Sequence, residues 1–227
     1  MSAKKVDVLK KEVLACSRWL SAHGYFGTLQ GTGGNVSVRI DDAMIITPTT
    51  HSYEAMTPDD LCLLDFDLHR RTGSLPPSVE AAMHVSVYRK RPEIGAVVHT
   101  HQVFASIFAL INRPIPALFD EVAFKLGEVV DIIPYALSGS SELAANVAGK
   151  VENQAHAYII QNHGALLLGA DLAEAWLNAE LLEKVCQSYY YALTTGDKVG
   201  ALPDTIQNVI REIRYYLREE KIKELAK

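Results

Sequence analysis

The chain has 227 residues, 48% of them hydrophobic, which excludes a disordered chain. Its net charge of −5 at pH 7 excludes a basic module that binds nucleic acid through the phosphates. A chain of this length can bury a full core without disulfides or a structural metal, so we expect one domain over 1–227 and a functional role for any bound metal.

The cysteines and the N-terminal sequence indicate the compartment. Cys16, Cys62 and Cys186 are widely spaced and form no CxxC pair, which is typical of a reducing compartment. The first five residues lead directly into an amphipathic pattern, without the apolar stretch and cleavage site of a signal peptide. No run approaches the ~18–20 apolar residues needed to cross a bilayer. We therefore expect a cytoplasmic protein without a membrane partner.

The first half of the chain predicts a helix followed by a sheet. Apolar residues recur every three or four positions over 6–20, which predicts a helix with one buried stripe, and Gly24 is a candidate for its C-cap. Strands are predicted over 35–40, 43–47 and 61–65. The next helix is predicted over 78–90, with Ser78 as its N-cap and Pro92 beyond its end.

The second half of the chain alternates strands and helices. In chain order we predict a strand over 95–101, a helix over 103–111, a strand over 129–134, a helix over 141–151, strands over 156–161 and 165–168, and helices over 171–193 and 203–225. This order predicts one α/β or α+β domain in which helices cover a central, mainly antiparallel sheet.

Histidines follow two of the predicted strands. His99 and His101 lie two positions apart at the end of an apolar strand, so they share one face and their imidazoles can converge on one ion. His163 lies in a turn after another strand, where a neighbouring strand end would bring it beside the first two. Three histidines with an open fourth position are typical of a catalytic zinc site. The sequence therefore predicts a metal site here.

A carboxylate precedes this strand. Glu80 and His84 are four positions apart on one face of the predicted helix, so Glu80 is a candidate metal ligand or general base with His84 behind it. The alternative is a glutamate in the first turn that only interacts with the helix dipole. The helix leads directly into the strand of His99, which favours the first interpretation because the two ends can meet at one sheet edge.

Two turns are rich in glycine or hydroxyl groups. Residues 31–35 read Gly-Thr-Gly-Gly-Asn and can expose backbone N–H groups to an anion, although a plain turn before a strand fits equally well. The run is neither a Walker A loop nor a GxGxxG motif. Thr49 and Thr50 lie in a second such turn, which is equally compatible with an ordinary strand exit.

Together these segments resemble the class II aldolase/adducin family, and the resemblance is closest to its fuculose-phosphate aldolase branch. The matching segments occur in family order at 31–39, 46–49, 77–80 with His84 following, 96–101 and 161–165. The resemblance implies a single-domain α/β/α layered fold with a largely antiparallel central sheet. It also implies a homotetramer of C4 symmetry with active sites between neighbouring subunits.

The resemblance also implies roles for individual residues. His99, His101 and His163 match the metal ligands, for Zn²⁺ or another divalent ion such as Mn²⁺ or Co²⁺. Glu80 matches the catalytic carboxylate, which also ligates the resting metal, and Tyr216 aligns with a tyrosine that reaches the site of an adjacent protomer. The positions that match the binding site for a substrate phosphate are Thr32, Asn35, Thr49, Thr50 and Ser78.

The chain departs from the pattern of that branch at three places. Val79 stands in place of a second serine before Glu80, and Thr50 stands in place of a glycine. One hydroxyl donor is therefore lost and the second turn is bulkier, which disfavours a fully charged phosphate. Asp120 and Glu121 occupy the region of a catalytic tyrosine. Asp120 is therefore a candidate proton donor or relay, or a ligand for a substrate hydroxyl.

The expected function is reversible aldol cleavage of a ketose, phosphorylated or not, into a three-carbon ketone fragment and an aldehyde. A divalent ion would stabilise the enediolate that forms when the C–C bond breaks, and Glu80 would move a proton. The metal site alone does not distinguish an aldolase from an epimerase, a decarboxylase or a dehydratase acting on a sugar or sugar-acid derivative. A non-catalytic, adducin-like oligomerisation module is the alternative outside enzymes.

Overall fold

A twisted sheet forms the centre of the molecule in the computed structural model, which describes residues 3–28 and 33–225. Its strands are β1 Asn35–Ile40, β2 Ala43–Ile46, β3 Cys62–Asp65, β4 Arg70–Thr72, β5 Ala96–Thr100, β6 Ile115–Pro116, β7 Val129–Ile133, β8 Ala157–Ile160 and β9 Gly164–Gly169. The order across the sheet is β4-β3-β2-β1-β5-β9-β8-β7-β6. All neighbouring pairs in this described sheet are antiparallel except β7 and β8, which confirms the prediction of a mainly antiparallel sheet.

Helices cover both faces of the sheet. They are α1 Ala3–Ala22, α2 Ala81–Lys90, α3 Val103–Ile111, α4 Asp120–Leu126, α5 Ser141–Lys150, α6 Leu172–Thr194 and α7 Asp204–Leu225. Side chains alternate along each strand, so Val98 packs in the core under α1, α3 and α6, whereas Val97 packs in the core under α2 and α5. The predicted α/β/α layered fold is confirmed.

The structure differs from the sequence prediction at several short elements. The strands β4 and β6 and the helix α4 were not predicted, because they have two to seven residues and show no clear periodicity. The prediction of Ser78 as an N-cap is wrong. Helix α2 begins at Ala81, and the Ser78 hydroxyl instead accepts a hydrogen bond from the Glu80 N–H at 3.2 Å. Glu80 therefore precedes the first turn of α2, and its side chain turns toward the histidines.

The C-terminal helix α7 lies against the rest of the molecule. Its buried Ile210 packs with Ala117 and Ala123, and Arg214 donates hydrogen bonds to backbone carbonyls that include that of Gln154 at 2.8 Å. In the part of the chain described, we find no helix that combines the length and the hydropathy that a bilayer span requires.

A buried ion pair links the end of α2 to α7. The Arg91 Nε donates to Glu93 Oε1 at 2.5 Å, and the Arg218 Nε donates to the same oxygen at 2.8 Å. The side chains of Arg91 and Glu93 are only 2% and 6% exposed. Removing the carboxylate would therefore leave a buried guanidinium without its counter-charge.

We predict that Glu93→Ala lowers the free energy of unfolding by about 3–5 kcal/mol, because a buried charge loses its partner. Urea denaturation measures the change. The control is Glu152→Ala, which removes the exposed Lys90–Glu152 pair, 2.6 Å long, and is expected to cost about 1 kcal/mol or less. Equal losses in the two variants would contradict the prediction.

Candidate active site

Strand pairing brings the three histidines together at one edge of the sheet. His99 lies near the end of β5, His101 follows this strand, and His163 lies in the turn between β8 and β9. Because β5 and β9 are antiparallel, with Thr100 opposite Ala165, the end of one strand adjoins the beginning of the other. One ligand nitrogen from each histidine lies within 4.8 Å of the other two.

The orientation of His99 fits a metal ligand. Its ring is fully buried, and its Nδ1 is 2.8 Å from the carbonyl oxygen of Ala165, to which it donates. In the neutral ring the Nε2 then carries a lone pair, which faces His101 Nε2 at 2.9 Å and Glu80 Oε2 at 3.3 Å. A lone pair and a carboxylate oxygen repel each other unless a cation lies between them. The donor set therefore fits a divalent metal ion.

Two glycines give the His101 ring its place. A Cβ atom at Gly33 would lie 2.8 Å from His101 Nδ1, and one at Gly164 would lie 2.5 Å from His101 Cδ2 and 2.3 Å from the Thr100 oxygen. Larger residues would displace the ring or the strand end. Gly33, which belongs to the described part of the glycine-rich segment, thus lets the backbone pack closely against His101 because it has no side chain.

Glu80 completes the cluster. The side chain is 5% exposed, and its two oxygens lie 3.3 Å from His99 Nε2 and 3.2 Å from His163 Nε2. Asn35 Nδ2 donates to Oε2 at 2.7 Å and the Ser138 hydroxyl donates to Oε1 at 2.8 Å. Burial favours the protonated carboxyl, but the positive charge of His99 and His163 when they are protonated, together with the two hydrogen bonds, outweighs it and lowers the pKa of Glu80 to about 2. The carboxylate is therefore ionised at neutral pH.

Ser138 is a site residue that the sequence did not reveal. It is 58 positions from Glu80 in the chain, in the segment that leads to α5. A short run of serine and glycine before a helix is explained by helix capping, and Ser140 does cap α5 by accepting from the Leu143 N–H. No local pattern distinguishes Ser138 from such a capping residue.

The hydroxyl-bearing turns lie beside each other next to this cluster. Pro48 and Pro77 form a bridge, in which the Ser78 N–H donates to the Thr47 carbonyl at 3.1 Å. Ser78 is 6% exposed, Thr49 is half-buried, and Thr50 is exposed with a left-handed φ of 53°. Of the expected phosphate ligands, these three and Asn35 are brought into neighbouring segments, whereas Thr32 lies outside the described residues.

Asp120 and Tyr216 are not brought to the histidines within one chain. Asp120 is exposed at the beginning of α4 and lines a surface cavity with Phe124 and Leu202. Tyr216 is 63% exposed on α7. Among the hydrogen bonds and ion pairs of the described residues, neither side chain contacts Glu80 or a histidine of the cluster.

Comparison with known proteins identifies the class of enzyme. The family described as Class II Aldolase and Adducin N-terminal domain matches residues 11–190. The L-fuculose phosphate aldolase of Escherichia coli O6:H1 is 38% identical over 186 residues, which cover 82% of this chain and 86% of that protein. The 5-methylthioribulose-1-phosphate/5-deoxyribulose-1-phosphate aldolase of Rhodospirillum rubrum is 32% identical over 190 residues, covering 84% and 85%.

A solved structure agrees with these sequence matches. An L-fuculose 1-phosphate aldolase has a TM-score of 0.84 with this chain at 29% identity, covering 93% of this chain and 97% of the other. The fold and the relatives thus define a lyase of the class II aldolase type. The chain belongs to the class II aldolase and adducin family, in its fuculose-phosphate aldolase branch. Class II aldolases depend on a divalent metal ion, and the histidine cluster of this chain could bind one.

We predict that the metal-free protein becomes more stable as the pH rises from about 4 to 6.5. Burial, together with the neighbouring His99, lowers the pKa of His101 to about 3 and that of His163 to about 4. Their ordinary value is 6.5, so in this range the unfolded chain binds more protons than the folded one, and protonation favours unfolding. Glu80 acts in the same direction below its ordinary pKa of 4.5.

Urea denaturation of chelator-treated protein at several pH values measures this dependence. The variant His163→Gln is expected to show a shallower rise, because one titrating ring is removed, while the other buried histidines retain part of the effect. A wild-type stability that stays constant or falls over this range would refute the assignment of neutral rings.

Proposed function

We propose that this protein is a metal-dependent class II aldolase that cleaves a ketose or ketose phosphate. The observation that carries the proposal is the convergence of three imidazole ligands, within 4.8 Å, beside the ionised carboxylate of Glu80. The relatives support the substrate class, because they are described as aldolases of L-fuculose phosphate and of 5-methylthioribulose-1-phosphate.

His99, His101 and His163 would hold the ion, with Glu80 as a further ligand at rest. Zinc suits three imidazoles, and manganese or cobalt can be bound by the same donors. When bound, a divalent ion supplies positive charge for the negative charge that develops when a C–C bond next to a carbonyl breaks.

Glu80 is the group placed to move a proton. Its oxygens are held by Asn35 and Ser138, so the carboxylate has a fixed direction beside the ligand nitrogens. Cleavage removes a proton from the hydroxyl of the carbon that becomes the aldehyde and returns one to the carbon of the ketone fragment. We assign the proton transfer at carbon to Glu80, and Asp120 or Tyr216 are candidates for the hydroxyl, contributed by a neighbouring subunit.

The turns next to the cluster are the proposed anchor for the far end of the substrate. Ser78, Thr49 and Thr50 provide hydroxyl groups there, with Thr32 as a further candidate. Among the described residues, Asn35 uses its amide oxygen and one of its N–H groups in hydrogen bonds, and its second N–H is the proposed donor to a substrate oxygen.

The proposed assembly is a homotetramer of C4 symmetry formed by one domain over 1–227 in the cytoplasm. Its support is the exposure of Asp120 and Tyr216, which are expected at the active site and yet do not reach it within one chain. Neighbouring subunits that complete each other's sites would account for both positions.

We predict that Glu80→Gln lowers kcat by about 10²–10⁴-fold, because a group that transfers a proton is lost. His99→Ala is expected to lose both bound metal and turnover. Metal analysis of the gel-filtered variant shows whether the loss of turnover accompanies a loss of metal. The exposed His69 offers a control, His69→Ala, which is expected to retain metal and activity. Robust turnover by Glu80→Gln would remove this mechanism.

A substrate panel distinguishes the reactions that one metal site can support. Ketose phosphates, free ketoses and 3-keto acids are incubated with metal-loaded protein, and the products are identified by NMR. An aldehyde with a three-carbon ketone supports the aldolase, whereas carbon dioxide, an epimer or a dehydrated product would replace it with the corresponding reaction. Loss of turnover on chelation, with recovery on adding zinc, manganese or cobalt, is expected. Protein purified without chelator that holds no divalent metal and converts no substrate would favour the oligomerisation module.

A further inference from the structure

Four buried polar side chains lead from Glu80 into the core between the sheet and α2. Asn35 and Ser37 are two positions apart on β1 and share one face of the strand, while His84 and Tyr88 are four positions apart on α2 and share one face of the helix. All four are between 0% and 3% exposed. We call this set the buried polar chain.

Hydrogen bonds connect every member of the buried polar chain. Asn35 Nδ2 contacts Glu80 Oε2 at 2.7 Å, and Asn35 Oδ1 contacts His84 Nε2. On the other side of the ring, His84 Nδ1 is 2.7 Å from the Ser37 hydroxyl, which is in turn 2.8 Å from the Tyr88 hydroxyl. Strand and helix residues thus alternate along the connection.

The direction of each hydrogen bond follows from the ionised carboxylate of Glu80, at which the buried polar chain begins. An ionised carboxylate only accepts, so Asn35 must present its NH₂ to Glu80 and its oxygen to His84. His84 Nε2 must then donate, and the other nitrogen of the ring accepts, because burial keeps the imidazole neutral by lowering its pKa to about 3.

The same argument extends to the far end. Ser37 must donate to His84 Nδ1, so the Tyr88 hydroxyl donates to the Ser37 oxygen. Every donor in the buried polar chain therefore points toward Glu80, and reversing any one of them leaves two donors or two acceptors in contact.

Tyr88 has a fixed position at the far end of the buried polar chain. The guanidinium of Arg39 lies over its ring at 4.9 Å, and the ring of Phe66 stacks on it at 5.8 Å. Arg39 also donates to the Tyr88 backbone carbonyl. The hydroxyl thus has a fixed position from which to orient Ser37.

We propose that His84, Ser37 and Tyr88 are positioning residues, which fix the amide of Asn35 with its NH₂ toward Glu80 and so set the direction of that carboxylate. The inference rests on the proposed function for Glu80 as the group that transfers a proton. Without a donor at His84, the Asn35 amide can turn its oxygen toward Glu80, where two acceptors would repel and displace the carboxylate.

Kinetics of a graded series of variants tests the proposal. His84→Met removes the donor next to Asn35, Ser37→Ala breaks the following hydrogen bond, and Tyr88→Phe removes only the last donor. We expect His84→Met to lower kcat about 10–100-fold, Ser37→Ala to have a smaller effect and Tyr88→Phe the smallest, with KM unchanged. His84→Gln, whose side-chain N–H can donate to Asn35, is expected to recover part of kcat relative to His84→Met.

Tyr158→Phe is the matched control for Tyr88→Phe. Both phenols are buried in the same core layer, and the Tyr158 hydroxyl donates to Asn153 Oδ1 at 2.7 Å, with no hydrogen bond that links it to Glu80 among the described residues. Tyr158→Phe is expected to lower stability while leaving kcat at the wild-type value. If wild-type protein turns over and the variants of the buried polar chain match Tyr158→Phe in kcat, the proposal is overturned while the proposed function stands.

A readout without turnover separates failure of the positioning proposal from failure of the proposed function. In ¹⁵N-histidine-labelled, metal-free protein, NMR is expected to show His84 as the neutral tautomer protonated at Nε2. In Ser37→Ala the Nδ1 resonance is expected to shift toward that of an imidazole nitrogen without a hydrogen bond. Protonation at Nδ1, or a crystal structure of His84→Met in which the Asn35 amide and Glu80 are unmoved, overturns the proposal whether or not any ketose is cleaved.

Discussion

Repulsion between the His99 lone pair and the Glu80 carboxylate is the constraint on which the site depends. Three imidazoles converge beside this carboxylate, with one nitrogen of each ring within 4.8 Å of the others. Burial disfavours protonation of His101 and His163, so these rings cannot relieve the repulsion by becoming cations at neutral pH. The rest of the fold must hold these side chains together against that repulsion, and the packing of the sheet and its helices supplies the restraint.

The restraint comes from the pairing of three strands. Strand β5 lies between β1 and β9, with Asn35 opposite His99 on one side and Ala165 opposite Thr100 on the other. This register brings Asn35 beside the cluster, and Ala165 accepts from the His99 ring. A shift of one residue in either pairing would turn these side chains to the opposite face. The geometry of the site is therefore a property of the whole sheet.

Much of this could be predicted from local sequence, because the relevant spacings are short. The two-residue spacing of His99 and His101 predicts a shared strand face, and the elements around His163 predict a turn at a strand end, as the structure has them. Contacts between distant segments could not be predicted in this way. Ser138 lies 58 positions from Glu80, and Tyr88 lies 51 positions from Ser37, so no periodicity links either pair. Short elements such as α4 and the exposed strand β4 also lack the repeated apolar positions that reveal longer ones.

The two sides of Glu80 differ in a way that bears on catalysis. On the side of Asn35 and Ser138, polar groups are paired within the protein, and their donors already point at the carboxylate. On the side of the histidines, the His99 Nε2 lone pair faces Glu80 Oε2 at 3.3 Å, and a bound cation would be the partner common to both. These dipoles are thus already oriented in the folded protein, so the reaction itself requires little reorganisation of them. Because the buried polar chain fixes these dipoles from inside the core, substitutions that never touch a substrate can still change the rate at which one is converted.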